Sequence, residues 1–134
     1  MATFDTPTGV IPRQGLARLI EAGHIRSDRS IPPSNLQPAS LDLTLGDVAY
    51  RLRCSFLPGA TSVENKLAEY EMGQVSLDSG AVLEQNRPYL IPLNETLELP
   101  DNIRGRTNPR SSTGRVDVFT RVLTDRGSHF DEVD

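Results

Sequence analysis

The chain has 134 residues, 37% of them hydrophobic, and a formal net charge of -4. That size fits one soluble domain with a modest core, and the acidic balance gives no global attraction for a polyanion such as nucleic acid. No apolar run approaches membrane-spanning length, the first residues lack the basic and apolar regions of a signal peptide, and a single cysteine, Cys54, excludes an internal disulfide.

In chain order, residues 1–12 read as a flexible N-terminal arm, with Thr, Gly and Pro and no periodicity. Pro12 suits a helix start, Leu16, Leu19 and Ile20 recur at helical spacing, and Gly23 is a stop, so a short amphipathic helix is expected over 13–22. The segment 31–38 holds three prolines and is expected as a non-helical loop. Residues 40–45 alternate polar and apolar and predict a half-buried strand, which a turn at Gly46-Asp47 would join to a hairpin partner over 48–53. A short helical excursion is expected over 63–70.

Beyond Tyr70 come short strand candidates: 74–77, 81–83, 89–93, 96–99, 103–107 and 116–124. Pro88, Pro92 and Pro100 limit them to short or edge strands. One leading helix followed by many short strands indicates a mainly β sandwich or barrel. Cys54, beside Phe56 and Leu57, reads as a small buried hydrophobe. His24 and His129 lie far apart, and with one cysteine the ligands of a zinc nucleobase deaminase are missing. The protein is therefore expected to be cytoplasmic and free of zinc, and the sequon at Asn94–Thr96 to be chance.

Two segments carry chemistry-bearing residues. In the first, Gln37–Gly46, Leu41, Leu43 and Leu45 share one strand face and Ser40, Asp42 and Thr44 the other; an ordinary amphipathic strand has the same pattern. The second runs from Arg106 to Arg115 and gathers three arginines, two serines, two threonines and a glycine. Of 14 basic residues 13 are arginine, a bias that a GC-rich genome accounts for, but six of them fall between Arg104 and Arg126. Guanidinium forks, hydroxyls and a turn whose N–H groups share one concavity suit a small phosphorylated ligand. A serine-rich surface turn with solvated arginines fits equally well.

The sequence Gln-Pro-Ala-Ser-Leu-Asp-Leu-Thr-Leu-Gly at 37–46 resembles the first motif of the deoxycytidine triphosphate (dCTP) deaminases, and Pro-Arg-Ser-Ser-Thr-Gly-Arg at 109–115 resembles their arginine–serine signature. The likeness covers Thr8 to Asp134, is nearest to the long bacterial form with two such domains in tandem, and corresponds to its N-terminal part. It implies a dUTPase-like fold: a distorted, jelly-roll-like β-sandwich or barrel with a short N-terminal helix, forming a domain over 13–134 that lacks its C-terminal strands. It also implies deamination of dCTP to dUTP without a metal at the base. By position, Ser111 would orient the water or amino group and Arg115 support it. Arg110 and Ser112 would bind phosphates, and Thr113 and Gly114 complete the nucleotide site, with Mg2+ carried on the triphosphate.

In the family a third motif, Asp-x-Gly-aromatic-x-Gly, follows, with the catalytic glutamate on the strand beyond. Asp134 is the first candidate for its aspartate and Asp131 the second, while Glu132 sits before the motif and is not expected to be the base. The chain is thus expected to hold dCTP, dUTP or dTTP in a homo-oligomer, trimer-like, yet to be inactive alone. Ser40 and Asp42 are expected to be structural members of the first motif. A dUTP pyrophosphatase or bifunctional enzyme is the alternative within the fold, although Ser111-Ser112 replaces the Ser-Gly of dUTPases. A non-catalytic nucleotide-binding or assembly domain is the alternative of another class.

Overall fold

Helix α1 (Arg13–Glu21) forms where the apolar spacing predicts it, with Pro12 as N-cap and Leu19 buried on its inner face. It stops at Gly23, whose φ of +81° lets the chain reverse. There the N–H of Gly23 donates to Ile20 O and that of His24 to Leu19 O, the paired bonds of a Schellman ending. The structure is a computed structural model and describes residues 3–134.

The chain packs as two units. The first comprises the chain as far as Ala49, with Ser76–Gly80 and Ile91–Ile103. Its core joins Leu19, Ile25 and Ile103, with Phe4, Leu16, Leu41, Leu97 and Leu99 packed around them. Each aliphatic side chain buried there contributes about 2 kcal/mol of apolar transfer. Strand β1 (Ile25–Ser27) pairs antiparallel with a strand at Glu95–Leu97, Ile25 opposite Leu97. Residues 3–12 have no helix or strand, and Phe4 packs against the core of this unit. The Phe4 N–H donates to Asn102 Oδ1 (2.9 Å), its carbonyl accepts from Asn102 Nδ2 (2.8 Å), and the Arg18 guanidinium lies 5.0 Å from its ring centre.

The second unit comprises Tyr50–Val75, Ala81–Leu90 and Arg104–Asp134. Helix α2 (Val63–Tyr70) lies where expected, its first turn capped by Ser62 Oγ accepting from the Asn65 N–H at 3.2 Å. Phe56 is buried and stacks on Tyr70, ring centres 5.4 Å apart. Strand β2 (Val48–Leu52) lies between β3 (Glu71–Ser76) and β4 (Tyr89–Leu90). With the Glu95–Leu97 strand as β5, a further pair, β6 (Gly105–Arg106) and β7 (Glu132–Val133), is antiparallel, with Arg106 opposite Glu132.

The mainly β class holds, and among the described residues the strands form small sheets of two, three and two strands with no closed barrel. Several expectations fail locally. The 40–45 strand is an irregular extended segment whose β-bridges among the described residues are the isolated Leu36–Leu41 and Leu45–Leu93 pairs, and β2 pairs with β3 and β4 instead of with it. Leu45, assigned to the apolar face, is 57% exposed. The proline-rich loop contains one 3-10 turn, Pro33–Asn35, because proline at a first helical position loses no hydrogen bond. Residues 81–83 form no strand. Nor do 116–124, because the N–H groups of Val116, Asp117 and Val118 turn back to the carbonyls of Thr113 and Gly114. Cys54 is exposed, Phe56 having taken the buried place.

Candidate functional site

The arginine–serine segment folds as α3 (Ser111–Arg115), with Arg110 as its N-cap and Arg115 in its last turn. The sequence predicts a turn whose N–H groups share one concavity, and a helical turn stands there instead. The N–H groups of Thr113 and Gly114 donate to Arg110 O at 3.0 and 3.1 Å and are spent within the helix. Arg110, Ser111, Ser112, Gly114 and Arg115 are exposed and Thr113 is half-buried. What this stretch presents to solvent is thus side chains, two guanidinium groups and two hydroxyls within six residues, more than a backbone cradle.

The flanks of α3 are fastened to one carboxylate. Asp131 Oδ1 accepts from Thr107 Oγ1 (3.1 Å) and from the Val122 N–H (2.8 Å), and Oδ2 accepts from Arg121 Nη1 (2.7 Å). Burial raises the pKa of this carboxyl, but the Val122 N–H, Arg121 and Thr107 together outweigh it and hold the group below its ordinary 3.8. Asp131 adopts φ +65°, a left-handed conformation that aspartate tolerates. Asp134 is exposed and pairs with Arg104 at 3.6 Å, and among the described residues it pairs with no member of α3. Glu132 faces Arg106 (3.7 Å) and His129 (3.9 Å).

The first motif lies in the other unit and is knitted to its own surroundings. Gln37 Nε2 donates to Asp42 Oδ2 (3.1 Å), the Asp42 N–H to Asn35 O (2.9 Å), and the Gln37 N–H to the carbonyl of exposed Ser40 (2.9 Å). Thr44 donates its N–H to both oxygens of Glu95 at 3.0 Å and its Oγ1 to Glu95 Oε1 at 2.7 Å. Asn94 Nδ2 reaches Thr44 Oγ1 (3.0 Å) and Leu45 O (2.9 Å). Glu95 is 8% exposed, a buried carboxylate the sequence reading did not single out. The signal was present: Leu93, Glu95, Leu97 and Leu99 share one strand parity, which places Glu95 on the inward face. Asp131 has no comparable signal, because its partners lie 9, 10 and 24 residues away.

Among the described residues no group of three or more His, Cys, Asp or Glu side chains could hold a metal ion, and no helix is long and apolar enough to cross a membrane.

A leading helix, small sheets and a short arginine–serine helix together describe a mainly β domain. Residues 7–134 match the family model described as the 2'-deoxycytidine 5'-triphosphate deaminase N-terminal domain, and the chain belongs to that family. It superposes on the crystal structure of 2'-deoxycytidine 5'-triphosphate deaminase from Agrobacterium tumefaciens with a TM-score of 0.90 and 43% identity, over 93% of this chain and 36% of that one. The dUTPase-like fold expected from the sequence stands on that match. A curated relative from Methanosphaera stadtmanae, named "dCTP deaminase, dUMP-forming", is 25% identical over 84% of this chain. The chain spans 58% of that relative's length.

Proposed function

We propose that this chain supplies nucleotide-holding groups of a dCTP deaminase, an enzyme converting dCTP and water to dUTP and ammonia. The observation carrying the reading is the exposure of Arg110, Ser111, Ser112 and Arg115 on one short helix, in a chain whose family and relatives are named for this substrate. Arg110 and Ser112 bind the triphosphate through charge-assisted and hydroxyl hydrogen bonds, with Thr113 and Gly114 lining the same stretch. Ser111 orients the water or the departing amino group at C4 and Arg115 holds the position of both. Water adds across the C4=N3 bond, hydroxyl to C4 and a proton to N3. The remaining hydroxyl proton passes to the amino nitrogen, the C–N bond breaks, ammonia leaves and C4 becomes a carbonyl. Magnesium would travel with the triphosphate, since no carboxylate cluster among the described residues fits it.

No glutamate of this chain is assigned as the base, since Glu132 is engaged by Arg106 and His129 and Glu95 by Thr44. Asp134, if it meets the nucleotide, must exchange its exposed Arg104 pair for it, an inexpensive step. The site is completed in a homo-oligomer, a reading supported by exposed Val116 (69%) and Phe119 (91%) directly after α3. A separate dUTP pyrophosphatase is not favoured, since both relatives are named as deaminases.

Calorimetric titration with dCTP tests the reading. Binding is expected, and Arg115→Ala abolishes it; unchanged binding in that variant overturns the assignment. Ammonia release from dCTP by the 134-residue chain is expected to stay at background, and enzyme-like turnover would show that a base is present among these residues after all.

A further inference from the structure

The segment from Asn108 to Thr120 leaves and returns to a single residue. On its near side Thr107 donates its N–H to Asp131 O (3.0 Å) and its hydroxyl to Asp131 Oδ1 (3.1 Å). On its far side Arg121 donates to Oδ2 (2.7 Å), the Val122 N–H donates to Oδ1 (2.8 Å), and Val122 O accepts from the Asp131 N–H (2.9 Å). Both oxygens of one carboxylate and both polar backbone groups of the same residue are therefore used at the neck. The Asp131 side chain is only 19% exposed, so these bonds are partly shielded from water.

The neck matters because apolar burial and helix propensity do little to hold the segment. Residues 108–112 and 114–121 are exposed, so apolar burial contributes little. Helix α3 has five residues, far below the length at which a helix persists by its own hydrogen bonds. Its direction therefore depends on where the segment is tied, and Thr107 and Arg121-Val122 tie its two ends to Asp131.

We propose that Asp131 is a positioning residue, closing the neck of the 108–120 segment so that Arg110, Ser111, Ser112 and Arg115 meet a nucleoside triphosphate in one fixed arrangement. The proposal rests on the nucleotide reading for its ligand, whereas the closure itself is independent of that reading. The lowered pKa of Asp131 agrees with contacts that favour its charged form. The residue does not touch the reacting atoms in this account; it acts through the segment it ties.

The test compares Asp131→Asn, Arg121→Gln and the double variant with the unaltered protein, well below their melting temperatures. Asparagine keeps the left-handed backbone and an acceptor for the Val122 N–H but turns a donor toward Arg121. Two readouts are taken: trypsin cleavage after Arg110 and Arg115, followed by mass, and dCTP affinity by calorimetry. Each single variant is expected to speed those two cuts and weaken dCTP binding about tenfold, the size of one lost hydrogen bond to a charged group, with cuts after Arg26 and Arg53 unchanged. The double variant is expected to add little to either single one.

A lower melting temperature with unchanged cutting and unchanged affinity makes Asp131 a mere brace and overturns the proposal. Faster cutting in the variants of a protein that never binds dCTP leaves the closure standing and refutes the nucleotide reading instead. If Asp131→Asn does not fold, Thr107→Val and Arg121→Gln, each removing one contact, decide the same question.

Discussion

Two segments that carry family motifs are each held by a carboxylate from a distant part of the chain, but by different physics. In the first unit Glu95 is 8% exposed, and among the described residues its carboxylate bonds only to Thr44, through the N–H and the hydroxyl. In the second unit Asp131 faces a guanidinium as well as a hydroxyl and an N–H, with its side chain 19% exposed. The Glu95 contact holds one residue of an extended segment against a strand. The Asp131 contact joins the two ends of a segment. A buried carboxylate with neutral donors is costly to disturb, because every donor it leaves is stranded away from water. A carboxylate with a charged and more exposed partner costs less to lose, yet its loss reaches further along the chain.

That contrast predicts a ranking. Glu95→Ala strands the Thr44 N–H and hydroxyl and is expected to cost about 3 kcal/mol of unfolding free energy, read by urea titration. A loss smaller than that of an ordinary surface substitution would remove the distinction between the two carboxylates. Next comes Gly46→Ala. A Cβ there lies 2.8 Å from Pro92 O, a backbone atom already held by the Gly46 N–H at 2.7 Å. The variant is expected to cost about 2 kcal/mol in the same titration, and a neutral outcome would show that residues 44–46 are less tightly held than Glu95 suggests.

The third test uses pH. Asp131 has a lowered pKa in the folded state, so its charged form is worth stability that is present above the unfolded value, near 3.8, and lost as pH falls through the folded value. Unfolding midpoints measured from pH 6 downward should therefore fall more steeply below about pH 4 for the native protein than for Asp131→Asn. Parallel curves would mean that the Arg121 and Val122 contacts do not favour the carboxylate. The smallest effect is expected at Arg106→Ala. Its pair with Glu132 spans 3.7 Å with the arginine 84% exposed, so the loss should stay within about 0.5 kcal/mol. Strands β6 and β7 are joined by their backbones, and a larger loss would assign the pairing to side chains instead.

Legibility followed distance along the chain. Helix α1 with its Gly23 ending, and helix α2, were readable because apolar spacing, helix propensity and φ preferences act within a few residues. The Ser62 cap of α2 emerged only in the structure. The strands β1 and β7, three and two residues long, left no pattern to read and exist because β5 and β6 lie beside them. The alternation at 40–45 was real in the letters but overruled. Thr44 and Leu45 spend their polar groups on Glu95, Asn94 and Leu93, and a ladder would have needed them. The run 116–124 misled for the same reason, its first N–H groups returning to α3.

Legible in the letters alone were the two motif-like segments at 37–46 and 109–115 and the helices whose stability is local. Folding settled that Ser111–Arg115 is a short helix instead of a cradle of N–H groups, and that Glu95 and Asp131 bond to the two motif-bearing segments or their flanks. The reason is physical. Propensity and capping act across about four residues, whereas a carboxylate 51 residues from Thr44, or 24 from Thr107, finds its donors only after the intervening chain has closed on itself.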